Sequence, residues 1–131
     1  MGLNSLPKNE RLHGTVLINH LFKQGDKLKV NPFRIIWHDR KVQLETPVRF
    51  GISVSRRISK LAVKRNYIKR ICREAYRISK HDLVAYCEKE ETGLDFFLIY
   101  LGPIDPDPIE IQSKIILILN RLKDAHGRYC K

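Results

Sequence analysis

Arg56 to Lys80, RRISKLAVKRNYIKRICREAYRISK, holds ten of the chain's 25 lysines and arginines against one acid, Glu74. Most of the net charge of +11 is therefore gathered in one segment. Projected at about 100° per residue, the segment has two faces. Ile68, Ile71, Cys72, Ala75 and Ile78 share one arc, which suits a core. Arg65, Asn66, Lys69, Arg70, Arg73 and Arg77 share a second arc of roughly 140°. Lys64 projects toward the apolar side, where its long stem can reach out to water. The plain alternative is a solvated helix, but such helices usually mix charge signs to gain i,i+4 pairs. A helix whose cations are left unpaired suits docking on an array of phosphates.

Outward from this helix, expected from about Lys60 to the low eighties, periodicity marks the other elements. Upstream, Val48, Phe50, Ile52 and Val54 alternate with Arg49, Gly51, Ser53 and Ser55, a strand of period two. Phe33, Ile35 and Trp37 alternate with Arg34, Ile36 and His38, a second strand near enough to pair with the first as a hairpin. Thr15 to Lys23 reads as a short helix through Leu17, Ile18, Leu21 and Phe22, capped by Thr15 and closed by Gly25. Residues 1–13 read as an irregular arm. Downstream, Asp95 to Leu101, DFFLIYL, is a continuous apolar run expected as a buried strand. GPIDPDP breaks the chain with three prolines, and Ile109 to Lys123 has helical spacing. The order is α-β-β-α-β-α. This is an α+β fold, a compact sandwich of a small sheet with helices packed on it.

With 131 residues and 43% hydrophobic content, the chain suits a single domain that folds without staples. A pI near 9.8 points to nucleic acid or an anionic surface. No apolar run approaches the roughly 18–20 residues that span a bilayer, so no membrane is expected. The first residues lack the apolar core of a signal peptide. Cys72, Cys87 and Cys130 are odd in number, widely spaced and without a CxxC pair, which suits a reducing cytosol and a cytoplasmic location. Residues 81–112 hold eight acids and one base, a stretch expected to lie away from any phosphates. His13, His20, His38, His81 and His126 form no metal-binding or hydrolase motif. Asp105 and Asp107 flank Pro106 and suit capping of the last helix.

The string Ala62 to Arg70, AVKRNYIKR, after Ile52 to Arg57, ISVSRR, resembles the signature of the bacterial ribonuclease P protein family. Leu21 to Gly25 is similar to that family's first-helix ending, and Asp95 to Ile99 to its last strand. The resemblance runs from Arg11 to about Lys123. It implies a left-handed crossover between parallel strands, against the usual hand. It implies a protein subunit that assists a catalytic RNA in removing the 5′ leader of precursor tRNA. The partners would be that RNA subunit and precursor tRNA, with no protein partner required. Chemistry would rest on the RNA through bound Mg²⁺, with no catalytic residue and no metal on the protein alone. The alternatives are a general or ribosomal RNA-binding protein and a protein-only nuclease.

Residue by residue, Arg65 and Asn66 match the family's R-N-R box, and Tyr67 stands in place of its second arginine. Tyrosine loses a charge but can stack on a base. Asn66 could orient Arg65, contact RNA or support the fold. Lys64 lies within the same string. Lys69, Arg70 and Arg73 match the following basic positions, and Arg56, Arg57 and Lys60 the basic approach. The family's leader cleft maps to Ile18, Phe22 and Ile36, where Ile18 and Ile36 equally suit core packing. Arg34 shares the strand face of Ile36. Ser53 and Ser55 share that of Arg49 and could line the groove.

Overall fold

The computed structural model describes residues 15–40 and 47–129, so the arm at 1–13 and most of the turn between Arg40 and Pro47 lie outside the described residues. The elements are α1 (Thr15–Gln24), β1 (Asp26–Val30), β2 (Phe33–Arg40), β3 (Val48–Val54), α2 (Ala62–Ser79), α3 (His81–Lys89), β4 (Gly93–Tyr100) and α4 (Pro108–Tyr129). The six expected elements keep their order, and β1 and α3 are added to them. The expected long helix is divided, with α2 ending at Ser79 and α3 beginning at His81.

The strands form one sheet in the order β1-β2-β4-β3. The hairpin expected between β2 and β3 does not form, because β4 lies between them, antiparallel to β2 and parallel to β3. The physical reason is in β4 itself. Of its eight residues, seven are buried, on both faces, and such a strand must be central. The hairpin present joins β1 and β2 through a turn at Asn31 and Pro32. β3 and β4 are joined by a β-α-β crossover through α2 and α3.

One sheet face carries Phe33, Ile35, Trp37, Val48, Phe50, Ile52, Leu94, Phe96 and Leu98, buried under α2, α3 and α4. The opposite face carries a smaller cluster, Ile36 and Phe97 under Leu21 of α1, with Ile18 and Ile99 at its edge. The α1 helix stops close to the sheet. Gly25 donates its N–H to the Leu21 carbonyl at 2.7 Å. A Cβ at Gly25 would lie 2.6 Å from the Leu21 carbonyl oxygen, so only glycine fits.

The helix α2 buries Ile68, Cys72, Ala75 and Tyr76. Tyr76 stacks on Phe50 at 4.6 Å and 12°, and meets Phe96 edge-on at 5.6 Å. Ile78, assigned to the buried arc from spacing, is 47% exposed. The buried stripe is rotated toward Tyr76 because α2 is wedged between the aromatic sheet face and α4. Burial pushes the Cys72 thiol up to about 12.

Candidate nucleic-acid interface

The basic approach begins where β3 ends. Ser55 accepts a hydrogen bond from the Arg57 N–H at 3.1 Å, and its carbonyl accepts one from Ile58 N–H at 3.0 Å. This turn leaves Arg56, Arg57 and Lys60 exposed. Buried Ser59 accepts from the Leu61 N–H at 3.1 Å, closing a second turn just before α2.

Arg65 is the hinge pin between turn and helix. Its guanidinium donates to the carbonyls of Ser59 at 3.0 Å and Lys60 at 3.2 Å. Part of its donor set is thus spent on the backbone, which fixes the direction of the rest. Asn66 and Arg70 are exposed, and Lys69 and Arg73 half-buried. Tyr67 is 43% exposed, and the Arg70 guanidinium carbon lies 5.5 Å from its ring centroid.

Arg77 and Lys64 are paired, contrary to the reading of an unpaired face. Arg77 grips Glu74 with two hydrogen bonds at 2.6 and 3.1 Å, which holds the Glu74 carboxyl below its usual range. Lys64 reaches Asp105 in the loop before α4 at 3.2 Å. The acidic stretch therefore does not keep wholly clear of the basic helix. Asp107, by contrast, does cap α4, accepting the Ile109 N–H at 3.0 Å.

The outer sheet face adds a cleft of about 450 Å³, lined by Phe22, Lys27, Lys29, Arg34, Ile36 and Ile99 among others. Phe22 stands edge-on to Phe97 at 5.6 Å and is 40% exposed. Register places Lys29, Arg34, Ile99 and Ser53 in one row across the sheet. That row is next to the end at which β3 runs toward Arg56 and Arg57. Phe22, Arg34 and Ile36 thus come together, with Ile36 only 5% exposed as part of the cleft floor. Ile18 packs against that floor, Ser53 neighbours Ile99, and Ser55 lies beyond the strand in the basic turn. Arg49 forms no part of the cleft, since it clasps Asp95 of β4 at 2.6 and 2.9 Å. Lys27 and Lys29 escaped the sequence reading although their signal was present. Asp26 to Val30, DKLKV, alternates between a Gly and an Asn-Pro turn.

A family model described as Ribonuclease P matches residues 6–123 of 131. The chain belongs to the ribonuclease P protein family. It is 39% identical over 83 residues to the ribonuclease P protein component of Chlorobaculum tepidum, covering 61% of this chain and 54% of that protein. It is 37% identical over 76 residues to that of Porphyromonas gingivalis, covering 58% and 56%. The chain thus spans little more than half the length of these relatives in the matched stretch. The ribonuclease P protein of Thermotoga maritima superposes with a TM-score of 0.67 at 26% identity, over 86% of this chain and 96% of that one. Mixed sheet, four helices and basic α2 are accordingly features of a ribonuclease P protein fold. Among the described residues no group of three or more His, Cys, Asp or Glu could hold a metal ion, and no helix is long and apolar enough to cross a membrane.

Proposed function

We propose that this chain is the protein subunit of a cytoplasmic ribonuclease P, acting as one RNA-binding domain that holds the catalytic RNA and the 5′ leader of precursor tRNA. The observation that carries this reading is the continuity of two surfaces. Exposed Arg56, Arg57, Lys60 and Arg70, with Lys64, Arg65, Lys69 and Arg73, form a cationic flank along α2 and its approach. At the end of the sheet that feeds this flank lies an open cleft rimmed by Lys27, Lys29 and Arg34. A duplex-like backbone suits the flank, because arginine forks and lysine point charges fit phosphate oxygens. An unpaired strand suits the cleft, because its apolar floor meets bases while its rim meets phosphates.

The division of labour follows from the side chains. The Tyr86 hydroxyl meets His126 Nδ1 at 2.7 Å, with Asp39 3.3 Å from Nε2, but His126 is 3% exposed and so closed to a substrate; the hydrolytic chemistry, with its Mg²⁺, is assigned to the RNA. The protein's part is to neutralise phosphates that otherwise repel, and to hold the leader in one register. Asn66 is assigned to the RNA-facing side with Arg65, and Tyr67 offers a ring where the family's box has an arginine.

The test is binding of the RNA subunit by the wild type and by Lys69→Glu/Arg70→Glu in a salt titration. Both positions sit on the solvent side of α2, so the variant should fold and melt as the wild type does. Wild-type affinity should fall steeply with salt, by a log-log slope of roughly 0.7–0.9 per neutralised phosphate. The charge-reversed variant should bind at least tenfold more weakly and with a shallower slope. Equal binding by a folded variant would remove α2 from the interface.

A further inference from the structure

The phosphate-docking account uses Lys64, Asn66, Tyr67 and Arg70 but not the hollow that they form on α2 with Val63 and Asp105. That hollow has a volume of about 540 Å³. Its composition differs from that of a phosphate groove. It contains an exposed aromatic ring, an amide and a carboxylate as well as two cations. Building on the proposal that α2 binds RNA, we propose that this hollow takes a single unpaired guanine from the RNA partner, with Asp105 reading its Watson–Crick edge.

Each wall contributes one element of base recognition. Tyr67 offers a partly exposed ring held by the Arg70 guanidinium at 5.5 Å, a platform on which a base can stack. Val63, 80% exposed, adds apolar surface beside it. Arg70 and Lys64 can meet the phosphates that flank a splayed-out nucleotide. Asp105 is the element that a pure phosphate surface would exclude. Its side chain is 77% exposed, 3.2 Å from Lys64, in a loop stiffened by Pro103, Pro106 and Pro108. So exposed an ion pair contributes little to stability. It does neutralise the carboxylate in the empty hollow, which spares an approaching phosphate from repulsion.

The choice of guanine follows from donor patterns. An ionised carboxylate only accepts hydrogen bonds. On its Watson–Crick edge guanine presents two adjacent donors, the ring N1–H and the exocyclic N2 amino group, which match two carboxylate oxygens. Adenine and cytosine place one amino group beside a ring nitrogen acceptor, and uracil places its one N–H between two carbonyls. These edges are free only in unpaired RNA.

Fluorescence anisotropy at low salt with the pentaribonucleotides UUGUU, UUAUU and UUIUU provides the test, where inosine lacks the N2 amino group. The wild type should prefer UUGUU to UUAUU by about tenfold, with inosine between them. Asp105→Asn should reduce that preference to less than about twofold while leaving UUAUU binding unchanged, since adenine's edge offers the carboxylate no pair of donors. Tyr67→Ala should weaken all three. Retained guanine preference in Asp105→Asn, or none in the wild type, overturns the pocket. If the wild type binds the RNA subunit yet does not discriminate among pentamers, the pocket alone fails. If it binds neither the subunit nor any pentamer, the RNA-binding reading itself fails.

Discussion

At the residue scale, Arg65 does two jobs, and the structure separates them. Its bonds to the Ser59 and Lys60 carbonyls brace the turn, and both run from Nη1, which leaves Nε and Nη2 for RNA. Arg65→Ala should weaken RNA-subunit binding by about 1–2 kcal/mol, the scale of one charge-assisted contact. Arg65→Lys should recover little of it in the same filter assay. One ammonium cannot span two carbonyls and a phosphate with the geometry of a guanidinium fork. Phe22→Ala should lower affinity for precursor tRNA more than for mature tRNA, because only the precursor carries a leader for the cleft. Its ring is partly exposed beside Phe97, so thermal melts must accompany the comparison. Equal losses for both ligands in a folded variant would remove Phe22 from the cleft's work. Much of this scale was legible in the sequence, since the helical projection already set Arg65, Lys69 and Arg70 on one face. Local spacing cannot show that Lys64 meets Asp105, because the loop that brings them together is set by how α4 packs. Ile78 was misassigned for a related reason. Its arc is apolar, but it faces a groove beside Pro108 and Gln112 and not the sheet.

At the element scale, α2 belongs to both the core and the surface. Tyr76→Ala should cost about 3–5 kcal/mol in denaturant unfolding, the range for removing a buried aromatic. The loss of its stacking on Phe50 and Phe96 falls within that figure. Cys72 on the same stripe makes the fold sensitive to alkali. Burial holds its thiol protonated in the folded chain up to about 12, whereas an exposed thiol in the unfolded chain ionises near 9.0. Its contribution is complete below pH 9 and is lost as pH rises toward 12, since the unfolded state then holds fewer protons. Cys72→Ala should therefore flatten the decline of stability across that window, measured by urea titrations at several pH values. An identical slope in the variant would exclude the thiol as the cause. The sequence revealed α2's two faces because they repeat within one helix. It left the place of β4 open, because strand order is decided by pairing between distant segments. The uniform apolarity of DFFLIYL was nonetheless the physical reason for its central position.

At the scale of the whole molecule, a four-stranded sheet separates two kinds of surface. One face is sealed by α2, α3 and α4, while the other is only partly covered by α1 and keeps a cleft. The clasp of Arg49 on Asp95 ties the parallel pair β3 and β4 on that second face. It lies near the start of both strands, at the sheet end opposite the one from which the cationic approach departs. The α+β class and the helical and strand periods were readable because burial repeats locally along the chain. The cleft was readable only in part, since Lys27 and Lys29 of its basic rim come from β1, a short strand whose alternation was passed over. The central claim is that the polypeptide docks on a catalytic RNA and positions its substrate without cutting it. Cleavage of labelled precursor tRNA by the RNA subunit, with and without this chain across a Mg²⁺ titration at physiological salt, tests it most directly. The chain should lower the Mg²⁺ needed for cleavage at the mature 5′ end and should cut nothing without the RNA. An RNA subunit that cleaves equally well in its absence, or cleavage by the polypeptide alone, would contradict the claim.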